Sequence, residues 1–266
     1  MPTKKTKKND VSSVNFIKDF DLSIESSVND WIQQIVPGKS FADLGGLWNT
    51  VKERVSVAAL NGAVQYTMMD ISPMDNKWWQ AYRKRLSEFE VIGAKEIELN
   101  CMDLDAVKKV EPVDVLHCNG IIYHIPNYFE FIRNIIKLSK EYIILGSQVV
   151  PNKIENEFGS IEFQCPGLLP NVGLNPSQKQ ILKQHYAKIS PKIVRTDEHP
   201  RPNLADDDFL SDFGPWFWFF TPEYLYNLLI DFGLQVIDHK CTWRGWSYSF
   251  LCRKAVPIAD ASFLYV

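Results

Sequence analysis

Residues 40–46 read Ser-Phe-Ala-Asp-Leu-Gly-Gly, a short apolar run that stops on an acid and then on two glycines. Such a run predicts a buried strand, and the paired glycines predict a tight turn into a helix. Thr50 and Glu53 have the spacing of a capping box, which carries the predicted helix to about Leu60. Outward from this unit the alternation repeats. Val64–Met69 is a second strand, closed by Asp70, and Trp78, Tyr82, Leu86 and Phe89 recur at helical spacing. Lys95–Leu99 and Val113–Cys118 are the third and fourth strands. Asn127 and Glu130 cap a helix whose apolar face is Tyr128, Ile132, Ile135 and Ile136, and Tyr142–Leu145 is the fifth strand. Strands alternating with helices predict an α/β protein with a parallel sheet.

The pattern breaks after residue 149. Residues 149–213 hold seven prolines, few strand signals and one predicted helix near Ser177–Lys188. A long excursion of this kind inside a domain reads as a functional insertion over 149–215, a lid or substrate wall. Order returns at Thr221-Pro222-Glu223, which supplies an N-cap, a first-position proline and an acid for the positive helix end. Leu225, Leu228, Leu229 and Phe232 form the expected buried stripe, and Gly233 the C-cap. Leu234–Ile237 and Trp246–Cys252 follow without an intervening helix, so an antiparallel hairpin is expected at the sheet edge. Residues 1–20, with Lys4, Lys5, Lys7 and Lys8, read as a flexible tail, and 21–266 as one domain.

The chain has 266 residues, 45% hydrophobic and 23% charged, with a formal net charge of −3. That is the composition of an ordinary soluble globular protein. No Lys/Arg excess is available for neutralising phosphates, which disfavours nucleic-acid partners. No apolar stretch is long enough to span a bilayer, and the N-terminus lacks the hydrophobic core of a signal peptide. Five scattered cysteines without CxxC spacing read as reduced thiols, and a cytoplasmic location is expected. No metal site is expected. Asp206, Asp207 and Asp208 are consecutive and point apart, which favours a solvated loop or cap.

In open α/β sheets, ligands bind beyond the carboxyl ends of the strands near the switch in strand order. The acids at those ends are Asp43, Asp70 and Asp103. A carboxylate at Asp43 repels a pyrophosphate and attracts an ammonium or sulfonium, and the dinucleotide fingerprint G-x-G-x-x-G is absent. A nucleoside bearing a positive charge and no phosphate fits, and S-adenosylmethionine is one. The alternative is a tight turn with an incidental acid. Asp70 can accept from both ribose hydroxyls, or it can cap the turn at Ser72-Pro73. Asp103 can accept from an adenine amino group, or it can cap the helix after Leu104.

Together, "FADLGG" from Phe41, "YTMMDI" from Tyr66, "NCMDLD" from Asn100 and "VDVLHCNGIIYHIPN" from Val113 resemble the class I (Rossmann-like) S-adenosylmethionine-dependent methyltransferases. The tail "WFWFFTPEYLYNLLIDFGLQVI" from Trp216 resembles the family's closing helix and strand. The family's acidic-x-Gly-x-Gly-x-Gly becomes Asp43-Leu-Gly-Gly-Leu-Trp-Asn49, with only Gly45 in register. The resemblance implies a three-layer fold with a mostly parallel seven-stranded sheet, six strands one way and the last antiparallel. It implies that Asp43, Gly45 and Gly46 hold the methionine part, Asp70 and Ile71 the ribose, and Met102 and Asp103 the adenine. Asn119 and Gly120 would lie beside the sulfonium.

Methyl transfer asks a protein mainly to align the reactants and exclude water. Aromatic faces at Tyr123 and Trp48 are candidates for stabilising the cation. His124 is the candidate base, or else a residue that shapes the loop. His117, inside a predicted strand, reads as a core histidine, His185 as packing and His199 as surface. Eight of the fourteen residues from Phe213 to Tyr226 are aromatic. Part of that run, with Trp216 and Trp218 as candidates, is expected to wall an acceptor pocket. The expected activity is methyl transfer, at oxygen, to a small molecule or glycan precursor. An RNA (tRNA) methyltransferase, a Rossmann oxidoreductase and a non-catalytic S-adenosylmethionine-binding protein stand as alternatives. A homodimer is an open expectation; a membrane partner is not expected.

Overall fold

The computed structural model describes residues 27–47, 53–164, 166–189, 216–242 and 245–254. Trp48, Thr50, Cys165, His199, the Asp206 to Asp208 run and the N-terminal lysines lie outside them. The first half alternates α1 (Asn29–Ile35), β1 (Ser40–Leu44), α2 (Val55–Leu60), β2 (Gln65–Asp70), α3 (Lys77–Glu88), β3 (Lys95–Glu98), α4 (Leu104–Lys109), β4 (Val113–Asn119), α5 (Tyr128–Lys137) and β5 (Ser139–Gln148). The chain closes through β9 (Trp218–Phe220), α7 (Pro222–Asp231), β10 (Leu234–Thr242) and β11 (Ser247–Lys254).

The main sheet has seven strands in the order β10-β11-β5-β4-β1-β2-β3. The pairs of β1 with β2 and β4, of β2 with β3, and of β4 with β5 are parallel. Strand β11 is antiparallel to both β5 and β10. Six strands therefore run one way and one runs the other, as expected. The order reverses between β1 and β4, and the crevice beyond their carboxyl ends is where such sheets take ligands. Alternate residues serve opposite faces. Phe41, Met68, Val115 and Ile144 pack with Trp31, Trp79 and Tyr82 on one side. Ala42, Leu44, Leu116 and Ile143 pack with Ile132, Phe220 and Leu225 on the other.

Two predicted caps form. Asn127 accepts from the Glu130 N–H and its amide donates back to Glu130. Thr221 accepts from the Tyr224 N–H, with Pro222 at the first helical position. Helix α2 departs from its prediction. It begins at Val55 behind Arg54, and Glu53, instead of reaching back, accepts from the Ser56 N–H (2.9 Å) and the Ser56 hydroxyl. Glu53 is fully buried and pairs with Arg85, which holds its carboxylate beneath the helix. In α3 the buried stripe is Trp79, Tyr82 and Leu86, while Phe89 is 40% exposed. Trp79 takes the inward place because its indole N–H bonds the Ser72 carbonyl.

The described residues of the expected insertion carry more regular structure than its prolines suggest. The insertion holds the hairpin β6 (Lys153–Asn156) and β7 (Gly159–Glu162), then β8 (Leu168–Pro170) and helix α6 (Pro176–Ile189), and β9 (Trp218–Phe220) follows it. Strands β8 and β9 pair antiparallel, and the Val150 N–H bonds the Phe220 carbonyl at 2.9 Å. The insertion is thus stitched to the sheet end rather than hung from it. Among the described residues no helix is long and apolar enough to cross a membrane.

Candidate functional site

The glycine turn after β1 is shaped by its neighbours. Gly45 has φ +77°, and its N–H bonds the Met69 carbonyl at 2.7 Å. A Cβ at Gly45 would drive into the Ile121 side chain, and one at Gly46 into the Asp43 carboxylate and Met68. Both positions therefore require glycine for close approach. Ile121, from the loop after β4, folds over the turn and brings the two strand ends together.

Asp43 is turned away from the rim. It is 1% exposed, and both carboxylate oxygens are engaged, Oδ1 by His117 Nδ1 (2.7 Å) and Oδ2 by the Arg54 N–H (2.8 Å). A carboxylate can only accept, so His117 Nδ1 carries the proton. The pair ties β1, β4 and the start of α2 into one unit. Burial lowers the Arg54 guanidinium below its usual value, against the opposing pull of Asp43 and Glu53. The sequence expected Asp43 to contact a ligand; in the structure both of its oxygens have partners within the protein. His117 is the buried core histidine the sequence suggested, with Asp43 as its partner.

Asp70 ends β2 on the rim, where its Oδ1 accepts from the Ser72 N–H at 2.8 Å. Ile71 beside it is an apolar side chain 65% exposed. Met102 is half-buried in the turn after β3, with its N–H on Asn100 Oδ1. Asp103 acts as the N-cap of α4, its Oδ1 accepting from the Asp105 and Ala106 N–H groups. That is the capping alternative, which leaves one exposed oxygen for any other role. Asn119 closes β4 with its amide over Gly146, and Gly120 turns the chain at φ +82° with its N–H on the Gly146 carbonyl. The structure therefore gathers Gly45, Gly46, Asp70, Ile71, Met102, Asn119 and Gly120 at one end of the sheet, with Asp43 buried beneath the turn.

Tyr123 and His124 lie in a short 3-10 turn (Ile122–His124) just past β4. Tyr123 is 5% exposed, and burial pushes its phenol well above the usual range, opposed by a hydrogen bond from the Gln148 amide. It is thus a neutral donor rather than a base. His124 is half-buried, with its ring 4.1 Å from that of Tyr123 between centroids. The Trp216 ring lies 4.6 Å from that of Tyr123, tilted by 53°, and is 4% exposed, so it floors this corner. Trp218 donates its indole N–H to the Ile125 carbonyl at 2.9 Å and braces the loop instead. Gln148 was missed from the sequence. It ends β5, and the strand-end rule that picked out the first four strands would have reached it.

No family model matches the chain, and no curated protein matches it. Solved structures do. Magnesium protoporphyrin IX methyltransferase from Synechocystis, solved with bound S-adenosylhomocysteine, superposes with a TM-score of 0.51 at 15% identity, over 86% of this chain and 80% of that one. A Bacillus halodurans protein provisionally named a methyltransferase gives 0.53 at 10% identity, over 87% and 100%. A Rhodobacter sphaeroides protein provisionally named a zinc-dependent alcohol dehydrogenase also gives 0.53, at 10% identity, over 88% and 92%. These likenesses establish the architecture: the chain has the Rossmann-like fold of the class I methyltransferases. At such identities a shared fold does not by itself fix an activity.

Proposed function

We propose that this protein is an S-adenosylmethionine-dependent methyltransferase acting on a small molecule, with oxygen as the methylated atom. The observation that carries the reading is the pairing at the end of β2. Asp70 offers a carboxylate for two ribose hydroxyls, and the adjoining Ile71 offers an exposed apolar surface for a base. The rim fits an adenosine in other respects too. The turn at Gly45 and Gly46 brings backbone close to the crevice, and Met102 gives a second apolar contact. Asn119 and Gly120 flank the place where the reacting end would lie. S-adenosylmethionine would supply a methyl group already activated on a cationic sulfur. The chain's own part is to orient the acceptor and exclude water, with Tyr123 as a neutral hydrogen-bond donor and His124 as the candidate proton acceptor.

Asp43 has a different part in this reading: held by His117 and Arg54, it fixes the turn on which the methionine portion would rest. Calorimetry with S-adenosylmethionine, S-adenosylhomocysteine and NADH tests the proposal. The first two are expected to bind and NADH is not. Preference for NADH, or silence toward all three, refutes it. A second reading, binding without turnover, is favoured by the altered glycine turn closed over by Ile121. Binding without any methyl loss from the donor across a broad acceptor panel would support it.

A further inference from the structure

Resting on that reading, we infer that the acceptor is an uncharged, planar aromatic or heteroaromatic molecule, held by a donor group on Gln148 Oε1 and an acceptor group on Trp216 Nε1. Gln148 and Trp216 are each 4% exposed, and these two polar atoms are buried without a hydrogen-bond partner. Nearly all buried polar atoms in folded proteins are satisfied, so two orphans in one corner need an explanation. One is an acceptor and the other a donor. Tyr123 joins them: its hydroxyl bonds the Gln148 amide, and its ring packs at 4.6 Å on that of Trp216. The same hydroxyl lies 3.7 Å from where a Cβ of Gly120 would be, which puts the corner on the rim beyond β4 and β5.

The corner is fixed in advance of any ligand. Asn171 donates its amide to the Trp216 carbonyl at 2.8 Å, and the Phe217 N–H bonds the Tyr123 carbonyl at 2.9 Å. Tyr186 and Phe219 back the indole, with ring centroids at 5.5 and 5.9 Å. These walls are aromatic and neutral, with His124 at the edge. A sugar would bring several hydroxyls to a corner whose unpaired buried atoms are one amide oxygen and one indole N–H, with only the Tyr123 hydroxyl and the His124 ring beside them, and several would go unpaired. A flat ring with one donor and one acceptor would satisfy both orphans and stack on what surrounds them. This favours an aromatic acceptor over the glycan precursor that the sequence left open.

The test is calorimetry on the full chain saturated with S-adenosylhomocysteine, titrated with carbostyril, a neutral planar lactam, and separately with methyl glucoside. Carbostyril is expected to bind and the glucoside is not. Trp216→Phe keeps a ring and removes only the N–H, and Gln148→Leu removes the amide. Each is expected to weaken carbostyril about tenfold, the worth of one hydrogen bond, with S-adenosylhomocysteine affinity unmoved. Gln148→Met replaces the leucine variant if that one does not fold. Glucoside binding without carbostyril, binding of neither, or a carbostyril affinity that either variant leaves unchanged overturns the inference alone. Failure of the wild-type protein to bind S-adenosylhomocysteine overturns the reading beneath it, and this inference with it.

Discussion

Replacing Asp43 with alanine is expected to destabilise the protein by about 2–6 kcal/mol, because it leaves two buried donors unpaired at about 1–3 kcal/mol each. The structure sets that magnitude. The carboxylate is 1% exposed, and its loss leaves the Arg54 N–H and the His117 Nδ1–H without acceptors in the core. At roughly 2–4 °C per kcal/mol for a chain of this size, the melting midpoint should fall by roughly 10 °C. Asp43→Asn is the informative companion. Its carbonyl can still accept from Arg54, and its amide can donate to His117 once the imidazole proton moves to Nε2. The expected loss is then about 1–2 kcal/mol. Urea unfolding followed by tryptophan fluorescence measures both, with S-adenosylmethionine calorimetry on the Asn variant alongside. Were Asp43→Ala to unfold within 1 kcal/mol of wild type while Asp43→Asn abolished binding, the carboxylate would be a ligand contact and the buried-pair account would fail.

Asp70→Asn keeps the acceptor for the Ser72 N–H but loses the charge proposed to face a ribose. The dissociation constant for S-adenosylmethionine should rise roughly 10- to 100-fold, with the urea midpoint unchanged. Thr221→Ala removes the cap of α7 and also the acceptor for the Gly167 N–H at 3.0 Å. A loss of about 2 kcal/mol is expected in thermal melts, and a loss no larger than that of an exposed cap would count against the second role. His239 is lowered below its ordinary 6.5 mainly by burial, so the fold favours the neutral ring. Its contribution to stability is present above that value and lost as pH falls through the lowered one. His239→Gln should flatten the decline in stability measured in urea below pH 6.5, and an unchanged slope would refute the assignment.

The sheet was legible wherever a strand is buried on both faces. Strand β1 was predicted to the residue, since Ser40 to Leu44 is buried throughout. Edge strand β10 was read short: it runs on through Asp238, His239 and Lys240, past a register shift after Val236, because solvent on one side removes the apolar signal, whereas the other edge, β3, was placed to within one residue. The hairpin β6–β7 was missed because only Ile154 and Ile161 face inward along it. Caps written in adjacent residues, at Asn127 and Thr221, were readable. Glu53 was not, because its partner Arg85 comes from α3, a contact no local rule contains. The same holds at the site. The position of Asp70 and Ile71 followed from strand ends alone, whereas the engagement of Asp43 depends on His117, 74 residues away. The structure also separates two tryptophans that the sequence grouped: Trp216 floors the corner, and Trp218 braces Ile125.

The join between the insertion and the sheet has a structural consequence. Val150 and Phe220 are hydrogen-bonded neighbours, and Gly167 and Thr221 bond each other in both directions. The excursion therefore leaves and re-enters the scaffold at nearly one point in space. Closing such a gap with a short linker costs little chain entropy. Such a segment can be lengthened or shortened without rebuilding the platform that holds the rim.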